Sequence, residues 1–100
     1  MMTKIIKESK SFKKGYSFAY TFVKIGGKTF RLKYECGNNY LYREAKVLLD
    51  DGTWGFVAYF SETGHKDGFT SWYGSDPLEH KRCNDEFVSA MIDHLELLQS

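Results

Sequence analysis

The sequence predicts an α+β fold in which a four- or five-stranded antiparallel sheet, a β-meander, carries a C-terminal helix packed on one face. Three observations favour this fold. Apolar and polar residues alternate along residues 16–36, on both sides of a Gly26-Gly27 turn. Asp51-Gly52 lies between two further apolar runs, which is a strong hairpin signal. An apolar stripe with helical spacing then follows a helix-start signal at Asp76-Pro77.

The first three predicted strands are joined by glycine turns. A weakly patterned strand runs from Thr3 to Phe12 and ends at the turn Lys13-Lys14-Gly15. A second strand, Tyr16 to Ile25, carries an aromatic ring at every second position up to residue 22. After the Gly26-Gly27 turn, the alternation resumes from Lys28 to Cys36. This region therefore predicts three consecutive antiparallel strands.

The region from Tyr40 to Leu49 is ambiguous, because its Arg43-Glu44-Ala45-Lys46 segment suits a helix. It leads directly into the Asp51-Gly52 turn and the apolar run from Thr53 to Phe60, so we expect Ala45 to Leu49 to be a strand. A two-residue turn would then place three pairs on one apolar face: Leu49 with Trp54, Val47 with Phe56, and Ala45 with Ala58.

The last quarter of the chain predicts a helix. Residues 62–74 are expected to form a loop, with a short strand from Phe69 to Tyr73 as an alternative. Asp76 can cap a helix that begins at Pro77, and Glu79 lies three positions after the cap. One helix, or two with a break near Cys83-Asn84, fits the apolar stripe of Phe87, Val88, Met91, Ile92, Leu95 and Leu98. Residues 1–100 thus form one predicted domain, with strands mainly in 1–74 and the helical segment in 75–99.

The composition is typical of a small globular domain rather than a disordered chain, with 42% hydrophobic and 27% charged residues among 100. No segment approaches the roughly 18–20 apolar residues of a membrane span, and the N-terminus has no apolar run of signal-peptide length. The two cysteines, Cys36 and Cys83, lie far apart in the sequence. These features predict a cytoplasmic protein with free thiols that does not engage a membrane.

Positive charge is concentrated in the first third of the chain. Residues 1–34 contain nine Lys or Arg and one Glu, a net charge of +8. Residues 35–100 contain five Lys or Arg and twelve Asp or Glu, a net charge of −7. A positive surface that bears aromatic rings attracts anions, which indicates a nucleic acid or an acidic face of another protein. Opposite poles on one domain also predict a salt-sensitive homo-oligomer.

The Gly26-Gly27 turn allows two registers, and they give opposite surfaces. A two-residue loop pairs Phe22 with Arg31 and Tyr20 with Lys33, so rings and cations share the face that the helix does not cover. A three-residue loop with a bulge shifts the pairing by one and buries the rings at 18, 20 and 22 in an aromatic core. Turn chemistry favours the first register. Burial of three large rings, about 1.5–3 kcal/mol each, favours the second, which is the one we expect.

The sequence offers little catalytic chemistry. It contains no Gly-x-Ser-x-Gly and no glycine-rich phosphate loop, and His65-Lys66-Asp67 lacks a neighbouring nucleophile. His80 and Cys83 form a single His-x-x-Cys pair, whereas a structural zinc site normally has two closely spaced ligand pairs. We therefore expect no enzymatic activity, no cofactor and no metal.

The first functional hypothesis is a small non-catalytic binding protein whose basic sheet face engages nucleic acid or a nucleic-acid-handling complex. Cations from the first third would neutralise phosphates, and four rings of one strand would stack on bases. These residues are Lys4, Lys7, Lys10, Lys13, Lys14, Lys24, Lys28, Arg31 and Lys33, with Tyr16, Phe18, Tyr20 and Phe22.

The alternative hypothesis is a protein–protein inhibitor or adaptor of the phage or mobile-element type, which blocks a host protein. Its partner-binding anchors would be Trp54, Trp72 and Tyr73, because Trp and Tyr contribute most to interface energies. Compact domains of this length without sequence motifs are common among such accessory proteins. The sequence identifies neither partner.

Overall fold

A computed structural model describes residues 2–37, 40–63 and 76–99. Five antiparallel strands form one sheet in the order β1-β2-β3-β4-β5, so each strand pairs with its neighbours in sequence. One C-terminal helix, α1, packs against this sheet, and the predicted α+β fold is confirmed. The elements are β1 (Thr3–Lys13), β2 (Tyr16–Ile25), β3 (Lys28–Cys36), β4 (Tyr40–Leu48), β5 (Trp54–Thr63) and α1 (Pro77–Gln99).

Helix α1 begins where its capping residues predict. The Leu78 amide donates a hydrogen bond of 3.0 Å to a carboxylate oxygen of Asp76, and Pro77 occupies the first helical position. The helix then continues without a break to Gln99. No helix among the described residues is long and apolar enough to cross a membrane.

The core lies between α1 and the sheet, and the helix contacts strands β1, β2 and β3 most. From the helix, the apolar stripe buries Phe87, Met91 and Leu95. The sheet contributes small and aliphatic side chains from β2 and larger ones from β3. The sheet side of the core consists of Ala19, Val23, Ile25, Phe30, Leu32, Tyr34, Cys36, Leu41 and Ala45.

The register that we expected at Gly26-Gly27, from a three-residue loop with a bulge, is wrong. The structure has the two-residue turn instead. Phe22 lies opposite Arg31 and Tyr20 lies opposite Lys33. Both glycines adopt positive φ values, 57° and 86°, which is the conformation of a type I′ turn and matches the twist of the flanking strands. The burial argument failed because the rings of β2 are partly covered by each other and by neighbouring cations, so only part of the free energy of burying them is lost.

The predicted β4–β5 pairing is only partly correct. Ala45 lies opposite Ala58 as expected, but Trp54 lies opposite Leu48 and Phe56 lies opposite Lys46. Both rings therefore face away from α1. They were expected on the apolar side of the sheet.

The cause of this shift is a loop that is one residue longer than predicted. The Leu49 amide donates a hydrogen bond of 2.8 Å to the Thr53 carbonyl oxygen, so residues 50–52 form the loop. Gly52 has a φ of 86°, as the third residue of such loops requires. A bulge at Val57 then restores the predicted pairing at Ala45.

One predicted segment lies outside the described residues. It contains Trp72 and Tyr73, two of the three anchors of the alternative hypothesis, and the short strand from Phe69 to Tyr73. The third anchor, Trp54, is the first residue of β5.

Candidate functional site

The face of the sheet opposite α1 presents rows of aromatic rings and cations. Because side chains alternate along each strand and opposed residues share a face, the observed registers bring together residues from four strands. We call this surface the ring-and-cation face. Its members are Phe18, Tyr20 and Phe22 of β2, Arg31, Lys33 and Glu35 of β3, Tyr42, Glu44 and Lys46 of β4, and Trp54, Phe56 and Tyr59 of β5.

The cations at the centre of this face stack on the rings. The guanidinium carbon of Arg31 lies 5.2 Å from the ring centre of Tyr20 and 4.9 Å from that of Trp54. Lys46 Nζ lies 4.4 Å from the ring centre of Phe56. At these distances the ring quadrupole attracts the cation, so the face holds its charges in fixed positions.

The rings also contact one another, and they differ in exposure. Edge-on contacts link Phe18 with Tyr20 at 4.7 Å and Phe22 with Trp54 at 6.0 Å between ring centres. These four rings are partly buried. Phe56 and Tyr59 on β5 keep 63% and 64% of their surface exposed. The most accessible rings of the face are therefore Phe56 and Tyr59, and Tyr16 at the start of β2 is also exposed, at 45%.

Glu44 occupies the centre of the face and is almost completely buried, at 4% exposure. It accepts hydrogen bonds from the Tyr42 hydroxyl at 2.7 Å and from Arg31 at 3.2 Å, and Lys46 Nζ lies 3.8 Å away. Burial alone would raise the pKa of this carboxyl, but these hydrogen bonds and the charges of Lys46 and Lys33 outweigh burial and lower it. Glu44 is therefore an ionised group that links β3 to β4.

A second carboxylate, Glu35, lies at one end of the face. It accepts a hydrogen bond from the Tyr16 hydroxyl, and Lys33 Nζ lies 3.7 Å from it. That hydrogen bond, followed by burial and the negative charge of Glu35, raises the pKa of Tyr16 to about 12. Tyr16 is therefore a neutral hydrogen-bond donor at physiological pH, held beside the carboxylate.

Lysines of β1 and β2 border the ring-and-cation face along one edge. Lys7 is paired with Phe22, Lys13 with Tyr16, and Lys4 with Lys24, so these lysines point to the same side of the sheet as the rings. All four lysines are exposed, and the described residues place no carboxylate within ion-pair distance of them. We call Lys4, Lys7, Lys13 and Lys24 the basic rim. Lys14 is exposed in the turn between β1 and β2, whereas Lys28, the first residue of β3, is paired with the buried Ile25 and so lies on the helix side of the sheet.

Lys10 lies on the other side of the sheet, apart from the predicted basic surface. It is paired with Ala19, whose side chain is buried beneath α1. Its Nζ lies 3.2 Å from Glu8 and 3.9 Å from Asp85 of the helix. Of the sequence-predicted cations, six lie on the face opposite α1, whereas Lys10 and Lys28 lie on the helix side and Lys14 lies in a turn. The six are Lys4, Lys7, Lys13, Lys24, Arg31 and Lys33.

Half of the ring-and-cation face was not predicted. Tyr42, Glu44 and Lys46 lie at every second position of β4, and this alternation is the signal that the helical interpretation of residues 43–46 obscured. Phe56 and Tyr59 were missed for another reason. Their orientation depends on the loop length and the bulge of the β4–β5 hairpin.

The side of the sheet under α1 holds a different polar group. His80 is fully buried, and its Nδ1 lies 3.1 Å from the Tyr34 hydroxyl oxygen. Cys36 is a buried free thiol, and burial raises its pKa to about 11. Within residues 2–37, 40–63 and 76–99, no group of three or more His, Cys, Asp or Glu side chains is arranged to hold a metal ion.

Comparison with known proteins gives no match to a family model, a curated protein or a solved structure. The candidate site therefore rests on its own geometry and chemistry.

Proposed function

We propose that this chain is a non-catalytic nucleic-acid-binding protein that uses the ring-and-cation face and the basic rim. One observation carries the proposal: rings and cations occupy the same helix-free face of the sheet, and exposed lysines run along its β1 edge. Cations neutralise phosphates, and aromatic rings offer stacking surfaces that any base can use. We place this activity in the cytoplasm, where the two thiols would remain reduced.

The basic rim and the centre of the ring-and-cation face would play different roles in binding. The lysines of the basic rim are flexible and exposed, so they suit phosphate contacts that do not depend on sequence. At the centre, Arg31 and Lys46 are already engaged with Glu44, and Lys33 with Glu35. The rim therefore supplies most of the electrostatic attraction.

A protein target is the second candidate. The exposure of Phe56 and Tyr59 on β5 favours it, because exposed rings next to stacked cations are also the anchors of protein–protein interfaces. The host-protein inhibitor of this hypothesis would use the same face. A polyanion bound tightly to this face would therefore compete with such a protein partner for binding.

The proposal predicts that removing rim charge weakens nucleic-acid binding by an electrostatic route. Replacing Lys7 and Lys13 together with Ala should reduce the slope of log affinity against log salt concentration by about 2, since each phosphate-contacting lysine contributes about one unit. Fluorescence anisotropy of a labelled oligonucleotide, measured from about 50 to about 200 mM salt, reports this slope.

The control variant for this experiment is Lys10→Ala. Lys10 lies on the neighbouring part of β1 but on the helix side, paired with Glu8 and Asp85, so its loss should leave the salt slope unchanged. Absence of binding at the lowest salt concentration would remove the nucleic-acid proposal. If Lys10→Ala reduces the salt slope as much as the double replacement of Lys7 and Lys13 does, the rim is not the docking surface.

A further inference from the structure

We infer that the preferred ligand of the ring-and-cation face is an unpaired nucleic-acid strand, whose bases stack on Phe56 and Tyr59 of β5 while its backbone reaches the basic rim on β1. This inference rests on the proposed function and deepens it by naming the class of nucleic acid. Two observations favour this ligand. The positive charge of the basic rim complements the phosphates of a strand, and the exposed rings of β5 offer stacking surfaces to its bases.

The first step is the position of the accessible rings. Phe56 and Tyr59 are about two-thirds exposed, and their ring centres lie 6.0 Å apart. Lys46 Nζ lies 4.4 Å from the centre of the Phe56 ring, and Phe56 still keeps 63% of its surface exposed. The planes of these two rings are inclined by 61°, so in this β5 platform each ring offers its own face to one base.

The second step is the charge at the centre of the face. Arg31, Lys33 and Lys46 carry three positive charges, and Glu35 and Glu44 return two negative charges within ion-pair distance. The centre thus attracts phosphate far less than the basic rim, where four lysines face no carboxylate among the described residues. A strand that crosses the face should therefore have the phosphates of one end at the basic rim and the bases of its other end on the β5 rings.

The third step is the shape of the face. Four interstrand spacings separate β1 from β5, a width of about 19 Å. The major groove of B-form DNA is about 12 Å wide and the minor groove about 6 Å, so this surface cannot enter either groove with its rings. Bases in a duplex also have both faces covered by their neighbours. Only an unpaired strand can present base faces to a broad, open sheet.

The same width predicts the length of strand that the face accommodates. A stacked strand advances about 3.4 Å per nucleotide, so about six nucleotides reach from the basic rim to the β5 rings. A more extended strand needs fewer. Affinity should rise with the length of the oligonucleotide until the strand spans the face. Beyond that length it should rise only slightly, because a longer strand offers more equivalent positions for binding.

The test compares a labelled single strand with the blunt duplex made from the same strand, using the full chain and fluorescence anisotropy at low salt. We expect the single strand to bind at least about tenfold more tightly than the duplex. A series of oligothymidylates from the dinucleotide upward should reach its plateau near about six nucleotides.

The variants Tyr59→Ala and Phe60→Ala form a matched pair. Both remove a partly exposed ring from neighbouring positions of β5, but Phe60 lies opposite Arg43 on the helix side of the sheet. Tyr59→Ala should weaken single-strand binding by about fivefold or more, whereas Phe60→Ala should not. Tyr59→Phe keeps the stacking surface and should restore the affinity.

The outcomes separate this inference from the proposed function. Equal affinity for strand and duplex, with salt dependence that still follows Lys7 and Lys13, would overturn the inference and leave the proposed function standing. If neither the single strand nor the duplex binds, both the inference and the proposed function are removed. Equal losses in Tyr59→Ala and Phe60→Ala would overturn the assignment of stacking to the β5 platform.

Discussion

At the scale of single residues, Arg31 shows how the ring-and-cation face keeps its charges in place. Its planar guanidinium stacks between Tyr20 and Trp54 and also donates a hydrogen bond to Glu44. A lysine could not do both, because its ammonium is a compact charge without a planar surface. The same side chain therefore covers two rings and satisfies a buried carboxylate.

His80 is the residue whose protonation depends most clearly on the fold. Burial lowers its pKa from the ordinary value of 6.5, and the opposing charges of Glu79 and Asp76 do not compensate. The native protein therefore keeps His80 neutral at pH values where the unfolded chain already binds a proton. Because proton binding is linked to folding, the contribution of neutral His80 to stability is fully present above the pKa that His80 has in the unfolded chain. It decreases as pH falls toward the pKa that His80 has in the folded protein.

This linkage predicts a stability profile. As pH falls below about 6.5, the free energy of unfolding should decrease by up to about 1.4 kcal/mol per pH unit through His80, until the folded pKa is passed. Urea denaturation at several pH values measures this slope. His80→Gln should remove it, whereas His94→Gln, at an exposed position of the same helix, should retain it. A flat wild-type profile between about pH 7 and about pH 5 would contradict the prediction.

At the scale of elements, two hairpin loops decide which side chains form the site. The Gly26-Gly27 turn fixes the register of β2 against β3, and a one-residue slip there would move every β2 ring to the helix side. The longer loop that ends at Gly52 turns Trp54 and Phe56 onto the ring-and-cation face. The site is therefore a product of turn geometry as much as of strand sequence.

The β2–β3 turn gives a prediction about stability. Gly27→Ala should lower the free energy of unfolding by about 1–2 kcal/mol, because φ is +86° there and a side chain is strained even though the surrounding space is open. Gly26→Asn should be neutral or slightly stabilising, since Asn is favoured at the first position of a type I′ turn. Chemical denaturation of both variants measures the difference, and equal destabilisation by the two substitutions would argue against this turn.

At the scale of the whole molecule, the two faces of the sheet are stabilised in different ways. Beneath α1, Val23, Ile25 and Leu32 are almost completely excluded from water, and burial of apolar surface dominates. On the opposite face, cation–π contacts and the carboxylate of Glu44 hold the layer together while leaving β5 accessible. The molecule thus combines a dry core with a polar, open surface.

This asymmetry predicts the pattern of amide hydrogen exchange. The slowest amides should lie in β2 and β3, because these central strands are covered by α1 and flanked by paired strands, whereas amides of β5 should exchange faster. Exchange followed by NMR or mass spectrometry tests this order. Protection of β5 equal to that of β3 would contradict it.

The local sequence determined the bounds of two strands, the start of the helix and the concentration of positive charge. Alternation fixed the bounds of β2 and β3, and the capping residues at Asp76 and Pro77 fixed the start of α1, because each depends on neighbours within a few positions. The concentration of cations in the first third likewise predicted a positive surface, and the basic rim now lies within it.

Only the tertiary structure decided which side of the sheet the rings occupy. At Gly26-Gly27 the local sequence favours one register by turn chemistry and the other by burial. It could not show that Trp54, more than twenty positions away in sequence, contacts both Phe22 and Arg31. Phe56 and Tyr59 join the surface because of the loop length and the bulge of the β4–β5 hairpin. Burial is a property of the assembled sheet, so the outcome depends on residues that meet only after the chain has folded.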